Sequence, residues 1–248
     1  KRKMKTLVII PSRLSASRLP GKPLLKINGL SIISHVYKKA MNAKIGEVYV
    51  AAEDQEIVDD VKKNGGQAIL TSNNHKTGTD RIYEALKKLD KLDTELVMNL
   101  QGDEPMMNIK DIRNLHEKMI NGKSKLGTLA SKIINRREIL NENVVKVITK
   151  ESLNTSNFPE AKKFERKSGE TEVNIYHHLG IYCYQVDTLK KFISLEQSKN
   201  EIKNNLEQLR AIDNGININV SIAEETPIGV DTEKDLVAIK KIMEYKSQ

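Results

Sequence analysis

At 248 residues the chain is long enough to bury one sizeable α/β core, and its apolar residues (38%) form no run near the ~20 that a membrane span needs. The formal net charge is +8, but aromatic residues make up only 4% and tryptophan is absent, so the chain lacks the stacking surfaces typical of nucleic-acid binders. The single cysteine, Cys183, excludes an internal disulfide and favours a reducing cytoplasm, and the basic segment Lys1–Lys5 precedes no apolar stretch typical of a signal peptide. We therefore expect a cytoplasmic protein whose partners include neither nucleic acid nor a membrane.

The first half of the chain alternates apolar runs with segments of helical periodicity. The apolar runs predict strands over Thr6–Pro11, Glu47–Ala52, Ala68–Thr71 and Glu95–Gln101. The periodic segments predict helices over Ser31–Ala43, Gln55–Asn64 and Gly78–Leu92. This order predicts a parallel sheet with right-handed crossovers and helices on both faces.

The second half is less regular. We predict helices over Ile109–Asn121 and Thr232–Tyr245, with two further helical stretches before Asp213. Strands are predicted over Leu126–Ile134, Val144–Thr149, Ile175–Tyr184 and Ile216–Ala223. The polar segment Asn154–Glu172 is interpreted as a mobile loop. We expect a single α/β domain over residues 1–248, with a nucleotide-binding part over about residues 1–125 and a smaller inserted sub-lobe over about residues 126–223.

A cationic loop, IPSRLSASRLPGKPL (Ile10–Leu24), follows the first strand. Its Arg13, Arg18 and Lys22 repel one another unless an anion such as a polyphosphate lies among them, and Ser17 adds a donor. A solvated basic loop is the alternative. Neither a P-loop nor a G-x-G-x-x-G pattern is present in the sequence, which disfavours P-loop hydrolysis and dinucleotide binding.

Two aspartates follow predicted strands elsewhere in the chain. Asp103 lies in LQGDEP directly after a buried strand, and Asp231 lies in IGVDT before the last helix. Ligands of parallel sheets bind beyond the carboxyl ends of the strands, so we expect the cationic loop and Asp103 to face one crevice. Two carboxylates opposite three cations favour Mg²⁺-assisted phosphoryl or nucleotidyl transfer. For Asp231, a helix cap remains the alternative.

Seven motifs in order resemble the 3-deoxy-manno-octulosonate (Kdo) cytidylyltransferase family. They are the cationic loop, HKTGTDR (His75–Arg81), NLQGDEP (Asn99–Pro105), NVVKVI (Asn143–Ile148), HHLGIYCY (His177–Tyr184), LEQLR (Leu206–Arg210) and GVDT (Gly229–Thr232). The resemblance implies a Rossmann-like nucleotidyltransferase with a mostly parallel sheet flanked by helices and a smaller inserted sub-lobe. It also implies a homodimer that transfers CMP from CTP to the anomeric hydroxyl of Kdo and releases pyrophosphate, with Mg²⁺ as the cofactor, for lipopolysaccharide or capsule synthesis.

The resemblance further implies site residues. The nucleotide-binding residues are Arg13, Ser17, Arg18, Lys22, Thr77, Gly78 and Arg81. The metal-binding acids are Asp103 and Asp231, which with Lys22 form the catalytic set. The residues on the sugar-acid side are Gln101, His178, Glu207 and Gln208.

The sequence departs from the family in one segment. The family has a Tyr-Phe-Ser-Arg stretch where this chain has Leu153–Pro159 without an arginine. The difference indicates either a modified acceptor, such as 8-amino-Kdo, or drift in a tolerant loop. Lys162, Lys163 and Arg166 are candidates to replace the missing cation.

Two other functions stay open at this point. One is a cytidylyltransferase for another acidic sugar, such as a nonulosonate. The other is a non-catalytic basic binding module, which predicts that Asp103→Asn and Asp231→Asn are tolerated and that binding weakens steeply with salt.

Overall fold

The computed structural model describes residues 3–15, 18–91, 93–169 and 172–246. In chain order, the strands are β1 (Thr6–Ser12), β2 (Lys26–Ile27), β3 (Leu30–Ser31), β4 (Glu47–Ala52), β5 (Ala68–Leu70), β6 (Leu96–Asn99), β7 (Leu126–Lys132), β8 (Lys146–Thr149), β9 (Ala161–Glu165), β10 (Ile175–Gln185) and β11 (Asn219–Ala223). The helices are α1 (Ile32–Asn42), α2 (Gln55–Lys63), α3 (Gly78–Lys88), α4 (Ile109–Asn121), α5 (Arg137–Leu140), α6 (Val186–Ser194), α7 (Lys199–Asn204), α8 (Leu209–Asp213) and α9 (Glu233–Lys246). No helix within these described ranges is both long and apolar enough to cross a membrane.

The chain divides into two compact units, which are described separately. The first unit comprises residues 5–109 and 227–246, and the second comprises residues 110–226 together with residues 3–4.

The first unit contains a parallel sheet in the order β6-β1-β4-β5. In β1, Leu7 through Ile10 are at most 2% exposed, because a strand in the middle of a parallel sheet is covered on both faces. Helices α1, α2 and α3 pack against these strands. The predicted α/β class is therefore confirmed, and the carboxyl ends of β1 and β6 lie at the same edge of the sheet.

The second unit contains a mixed sheet in the order β11-β7-β10-β8-β9. Strands β11 and β7 are parallel, whereas β10 pairs antiparallel with both β7 and β8. The register of β10 against β7 shifts between Leu179 and Tyr182. This irregularity lies within the HHLGIYCY motif.

The prediction of a mobile loop over Asn154–Glu172 is wrong for part of the segment. Strand β9 lies within it and pairs antiparallel with β8. Its buried apolar side chains are Ala161 and Phe164, while Lys162 is exposed. A strand with so few apolar residues resembles a loop in sequence, and only its pairing with β8 makes it a strand.

Candidate functional site

A cavity of about 370 Å³ lies in the first unit, beyond the carboxyl ends of β1 and β6. The predicted site residues that line it are Arg13, Arg18, Lys22, Thr77, Gly78, Arg81, Gln101, Asp103 and Asp231. Residues separated by more than 200 positions in the chain therefore share one cavity. Ser17, also predicted to bind nucleotide, lies outside the described residues.

The cationic loop closes on a glycine turn. Gly21 has φ +67°, a conformation that other L residues adopt at a cost, and its N–H donates to the Leu14 carbonyl oxygen over 3.3 Å. A short 3₁₀ turn over Lys22–Leu24 follows. The turn places the Lys22 side chain half-buried in the cavity, whereas Arg13 is exposed.

Two ion pairs join the cations to the acids across the cavity. Lys22 Nζ lies 3.2 Å from Asp103 Oδ2, and Arg18 Nη1 lies 3.0 Å from Asp231 Oδ2. The Arg18 and Asp231 side chains are 60% and 58% exposed, so this pair contributes little stability. Arg13 forms no ion pair with any described residue. Two of the three cations are thus paired with the acids of the cavity, and the third, Arg13, is not.

Close backbone contacts hold the segment that carries Asp103 against β1 and against the segment that carries Asp231. A Cβ on Gly102 would lie 3.1 Å from the Pro11 carbonyl oxygen, so a residue without a side chain lets this loop approach β1. The Val230 N–H donates to the Asp103 carbonyl oxygen over 2.8 Å. This hydrogen bond brings the segment that carries Asp231 next to Asp103.

Asp231 does not serve as the cap of α9. The Thr232 hydroxyl accepts a hydrogen bond from the Asp235 N–H over 3.2 Å, and the Asp235 carboxylate accepts from the N–H groups of Thr232 and Asp231. Burial alone would raise the pKa of Asp235, but these two backbone donors hold it below its usual value. The Asp231 carboxylate is therefore left to face Arg18 and the cavity.

The donor set fits a magnesium ion shared with a ligand. Within the part of the chain that the structure describes, no group of three or more His, Cys, Asp or Glu side chains is arranged to hold a metal. Mg²⁺ is commonly bound by one or two carboxylates and completed by phosphates and water. Asp103 and Asp231 supply two such carboxylates beside three cations suited to phosphate.

Glu104 is a feature that the sequence reasoning missed. Burial, followed by the neighbouring Asp103 carboxylate, raises the pKa of Glu104 to about 8. Its Oε2 forms no hydrogen bond with any described residue. Its place in the GDEP motif was visible in the sequence, but its burial was not.

Arg81 and Thr77 make contacts within the protein as well as lining the cavity. Thr77 caps α3 by accepting from the Asp80 N–H over 3.3 Å. The Arg81 guanidinium donates to three oxygens, on Thr71 (2.8 Å), Ser72 (3.1 Å) and Glu53 (2.8 Å). Its side chain is only 5% exposed. The buried guanidinium therefore stabilises the cavity wall by hydrogen bonds within the protein.

Three of the residues predicted on the sugar-acid side, His178, Glu207 and Gln208, lie in the second unit. His178 is buried, and its Nε2 lies 2.9 Å from the Thr128 hydroxyl. Burial, with a smaller contribution from His177, lowers the pKa of His178 to about 3. The ring of Tyr182 lies 5.5 Å from that of His178. Burial raises the pKa of Tyr182 well above its usual value, and the nearby Tyr184 and Glu207 raise it further.

Tyr182 therefore lies near both His178 and Glu207, although the sequence reasoning did not single it out. Gln208 directly precedes α8 and is buried. Gln101, the fourth predicted residue, lines the cavity of the first unit.

Two of the candidate replacements for the missing arginine are engaged within the second unit. Lys163 pairs with Glu165 (2.9 Å) and Glu172 (2.7 Å). The Arg166 guanidinium donates to the carbonyl oxygens of Asn204 (2.8 Å), Asn205 (3.0 Å) and Glu142 (3.2 Å). Lys162 is exposed on β9.

The comparisons with known proteins agree with this geometry. Residues 7–220 match the family model described as cytidylyltransferase. A 3-deoxy-manno-octulosonate cytidylyltransferase of Rhodopseudomonas palustris (strain BisB18) is 42% identical over 97% of this chain and 98% of its own length. The enzyme of the same name from Thermodesulfovibrio yellowstonii is 40% identical, again over 97% of this chain and 98% of its own.

Solved structures extend the comparison to three dimensions. A CMP:2-keto-3-deoxy-manno-octonic acid synthetase complexed with CTP superposes with a TM-score of 0.88 at 36% identity, over 98% of this chain and 99% of that chain. A cytidylyltransferase from Leptospira borgpetersenii serovar Hardjo-bovis (strain JB197) has a TM-score of 0.64 at 17% identity, over 98% of this chain and 87% of that chain, and shows the same fold. By the family model and by these full-length relatives, the chain belongs to the 3-deoxy-manno-octulosonate cytidylyltransferases, a family of nucleotidyltransferases.

Proposed function

We propose that this protein transfers CMP from CTP to the anomeric hydroxyl of Kdo or a close analogue and releases pyrophosphate. The observation that carries the proposal is the cavity of the first unit, where Arg13, Arg18 and Lys22 face Asp103 and Asp231. Membership of the Kdo cytidylyltransferase family supports the choice of nucleotide and acceptor.

The side chains of the cavity divide into two roles. Arg13, Arg18 and Lys22 bind the triphosphate and stabilise the charge that builds up on it during transfer. As they turn to the phosphates, the Lys22–Asp103 and Arg18–Asp231 pairs open, and the two carboxylates become free to hold Mg²⁺. Bound there, Mg²⁺ would supply Lewis-acid neutralisation of the phosphate charge.

The acceptor hydroxyl attacks the α-phosphate in line, so no covalent enzyme intermediate is needed. Within the second unit, His178, Glu207 and Gln208 orient the sugar acid, and Tyr182 joins this set on the basis of its position near His178 and Glu207. Cys183 takes no part, because it is buried.

A modified Kdo is the second candidate acceptor. Of the candidates to replace the arginine missing from Leu153–Pro159, Lys163 and Arg166 make contacts within the second unit, and Lys162 is exposed on β9. An acceptor such as 8-amino-Kdo, or another acidic sugar, would account for the changed segment.

The test is pyrophosphate release with CTP and Mg²⁺, with Kdo and 8-amino-Kdo offered in parallel and with ATP, GTP and UTP as nucleotide controls. Of the four nucleotides, we expect only CTP to give pyrophosphate release. Asp103→Asn and Asp231→Asn should each lower turnover about 100-fold or more, because each removes a carboxylate for the metal. Asp59→Asn, exposed on α2, is the matched control. Silence with both sugars, or full activity in both cavity variants, would contradict the proposal.

We also propose that the enzyme acts in the cytoplasm as a homodimer. Its single cysteine and the family resemblance support these two points. Analytical ultracentrifugation at several protein concentrations would test the dimer.

A further inference from the structure

The bulge in β10 is tied to one hydroxyl of the neighbouring strand. Leu179 pairs with Leu129 and Tyr182 with Thr128, so two extra residues lie between them on β10. Thr128 is fully buried, and its Oγ1 lies 2.6 Å from the Ile181 carbonyl oxygen and 3.2 Å from that of Leu179. The same oxygen lies 2.9 Å from His178 Nε2.

These three contacts determine which His178 nitrogen carries the proton. A threonine hydroxyl has one hydrogen to donate and lone pairs to accept with. At 2.6 Å, the oxygens of Thr128 and Ile181 would repel each other unless the hydroxyl hydrogen lies between them. The hydroxyl therefore donates to Ile181 and accepts from His178, which requires a proton on Nε2.

The surroundings of the imidazole keep it neutral. The Phe164 ring meets it edge-on with centroids 5.0 Å apart, and the centroid of the Tyr182 ring lies 5.5 Å away. A neutral imidazole with a proton on Nε2 has a bare Nδ1, which is an acceptor only. No described residue forms a hydrogen bond with Nδ1.

We propose that Thr128 is a positioning residue that holds His178 as the Nε2–H tautomer, so that Nδ1 accepts a hydrogen bond from a hydroxyl group of the acceptor sugar. The inference rests on the proposed function, because that function makes His178 a contact of the sugar acid. It assigns His178 to a sugar hydroxyl and not to the carboxylate, since a bare nitrogen and a carboxylate oxygen are both acceptors.

The test combines the tautomer with steady-state kinetics. In full-length protein labelled with ¹⁵N-histidine, long-range ¹⁵N–¹H spectra distinguish a protonated ring nitrogen from a bare one, and His178→Asn identifies the signals. We expect a proton on Nε2 in the unaltered protein. Thr128→Val should raise the KM for the sugar acid about tenfold, with the KM for CTP changed less than about twofold. Thr128→Ser, which keeps the hydroxyl, should give KM values for the sugar acid and for CTP close to those of the unaltered protein.

Thr149→Val is the matched control. Thr149 is also buried in the second unit, and its hydroxyl donates to the Glu151 carbonyl oxygen over 2.6 Å and forms no hydrogen bond with a described histidine. It should leave the KM for the sugar acid unchanged. A proton on Nδ1, a doubly protonated ring at neutral pH, or equal kinetic effects of Thr128→Val and Thr149→Val would overturn the inference.

A failure of the proposed function can be distinguished from a failure of this inference. Absence of turnover with every sugar acid would refute that function, and with it the assignment of Nδ1 to a sugar hydroxyl. The spectra would still decide whether Thr128 sets the tautomer.

Discussion

The buried ion pair between Glu53 and Arg81 provides the sharpest test of how the cavity wall is stabilised. Arg81 Nη2 lies 2.8 Å from Glu53 Oε2, with side chains 5% and 13% exposed. The other carboxylate oxygen of Glu53 accepts from the Ser15 hydroxyl in the cationic loop over 3.2 Å. The informative changes are Glu53→Met, which removes charge and acceptor together, and Glu53→Gln, which keeps an acceptor.

The expected cost follows from the burial of both partners. Removing one partner of a buried pair leaves an uncompensated charge and costs about 3–5 kcal/mol. Glu53→Met should therefore lower the free energy of unfolding by about 3 kcal/mol or more. Arg81 retains Thr71 and Ser72 as hydrogen-bond partners, so Glu53→Gln should cost less, about 1.5–3 kcal/mol.

Urea and thermal unfolding followed by circular dichroism measure both changes. At about 2–4 °C per kcal/mol for a chain of this size, a loss of 3 kcal/mol lowers Tm by about 6–12 °C. Glu56→Gln, an exposed glutamate on α2, is the control and should cost less than about 1 kcal/mol. If Glu53→Met costs no more than this control, the reasoning about the buried pair is refuted.

Three further predictions test other parts of the structure. Gly21→Ala and Gly29→Ala should each lower the free energy of unfolding by about 1 kcal/mol, because both residues have positive φ and an added Cβ meets no atom within 4 Å. Only Gly21→Ala should raise the KM for CTP, because Gly21 lies in the cationic loop. Equal KM values in the two variants would contradict the role of that loop. Burial raises the pKa of the Cys183 thiol to about 12, so a thiol reagent at pH 8 should react only after unfolding, and rapid labelling of the native protein would count against this. Below its ordinary pKa of 6.5, His178 takes up a proton in the unfolded chain but not in the folded one, where its pKa is about 3. Between pH 6.5 and 5, the free energy of unfolding should therefore fall by about 2 kcal/mol more in the unaltered protein than in the His178→Gln variant. Parallel pH profiles of the two proteins would refute the shift.

Much of the first unit was predictable from local patterns. The apolar run of β1 is readable because a strand covered on both faces needs apolar side chains at nearly every position. The rule that ligands lie beyond the carboxyl ends of parallel strands placed the cationic loop and Asp103 in one crevice, and the cavity confirms this. Helix α3 begins, as predicted, at Gly78.

The second unit was less predictable, because its strands depend on partners distant in the chain. Strand β9 has a polar sequence and exists through pairing with β8, so the same residues are indistinguishable from a loop until that partner is in place. Short α5 was also missed, since a single turn has no periodicity to detect.

The sequence by itself determined the fold class and indicated that the cationic loop and Asp103 face one crevice, because hydrophobic periodicity and strand–loop order are local properties of the chain. Only the tertiary structure decided what surrounds each group. Arg81 pairs with Glu53, Glu104 becomes buried beside Asp103, and the Thr128 hydroxyl meets His178 fifty positions away. Protonation and hydrogen-bond direction depend on burial and on neighbours at about 3 Å, and those neighbours are set by packing between distant segments.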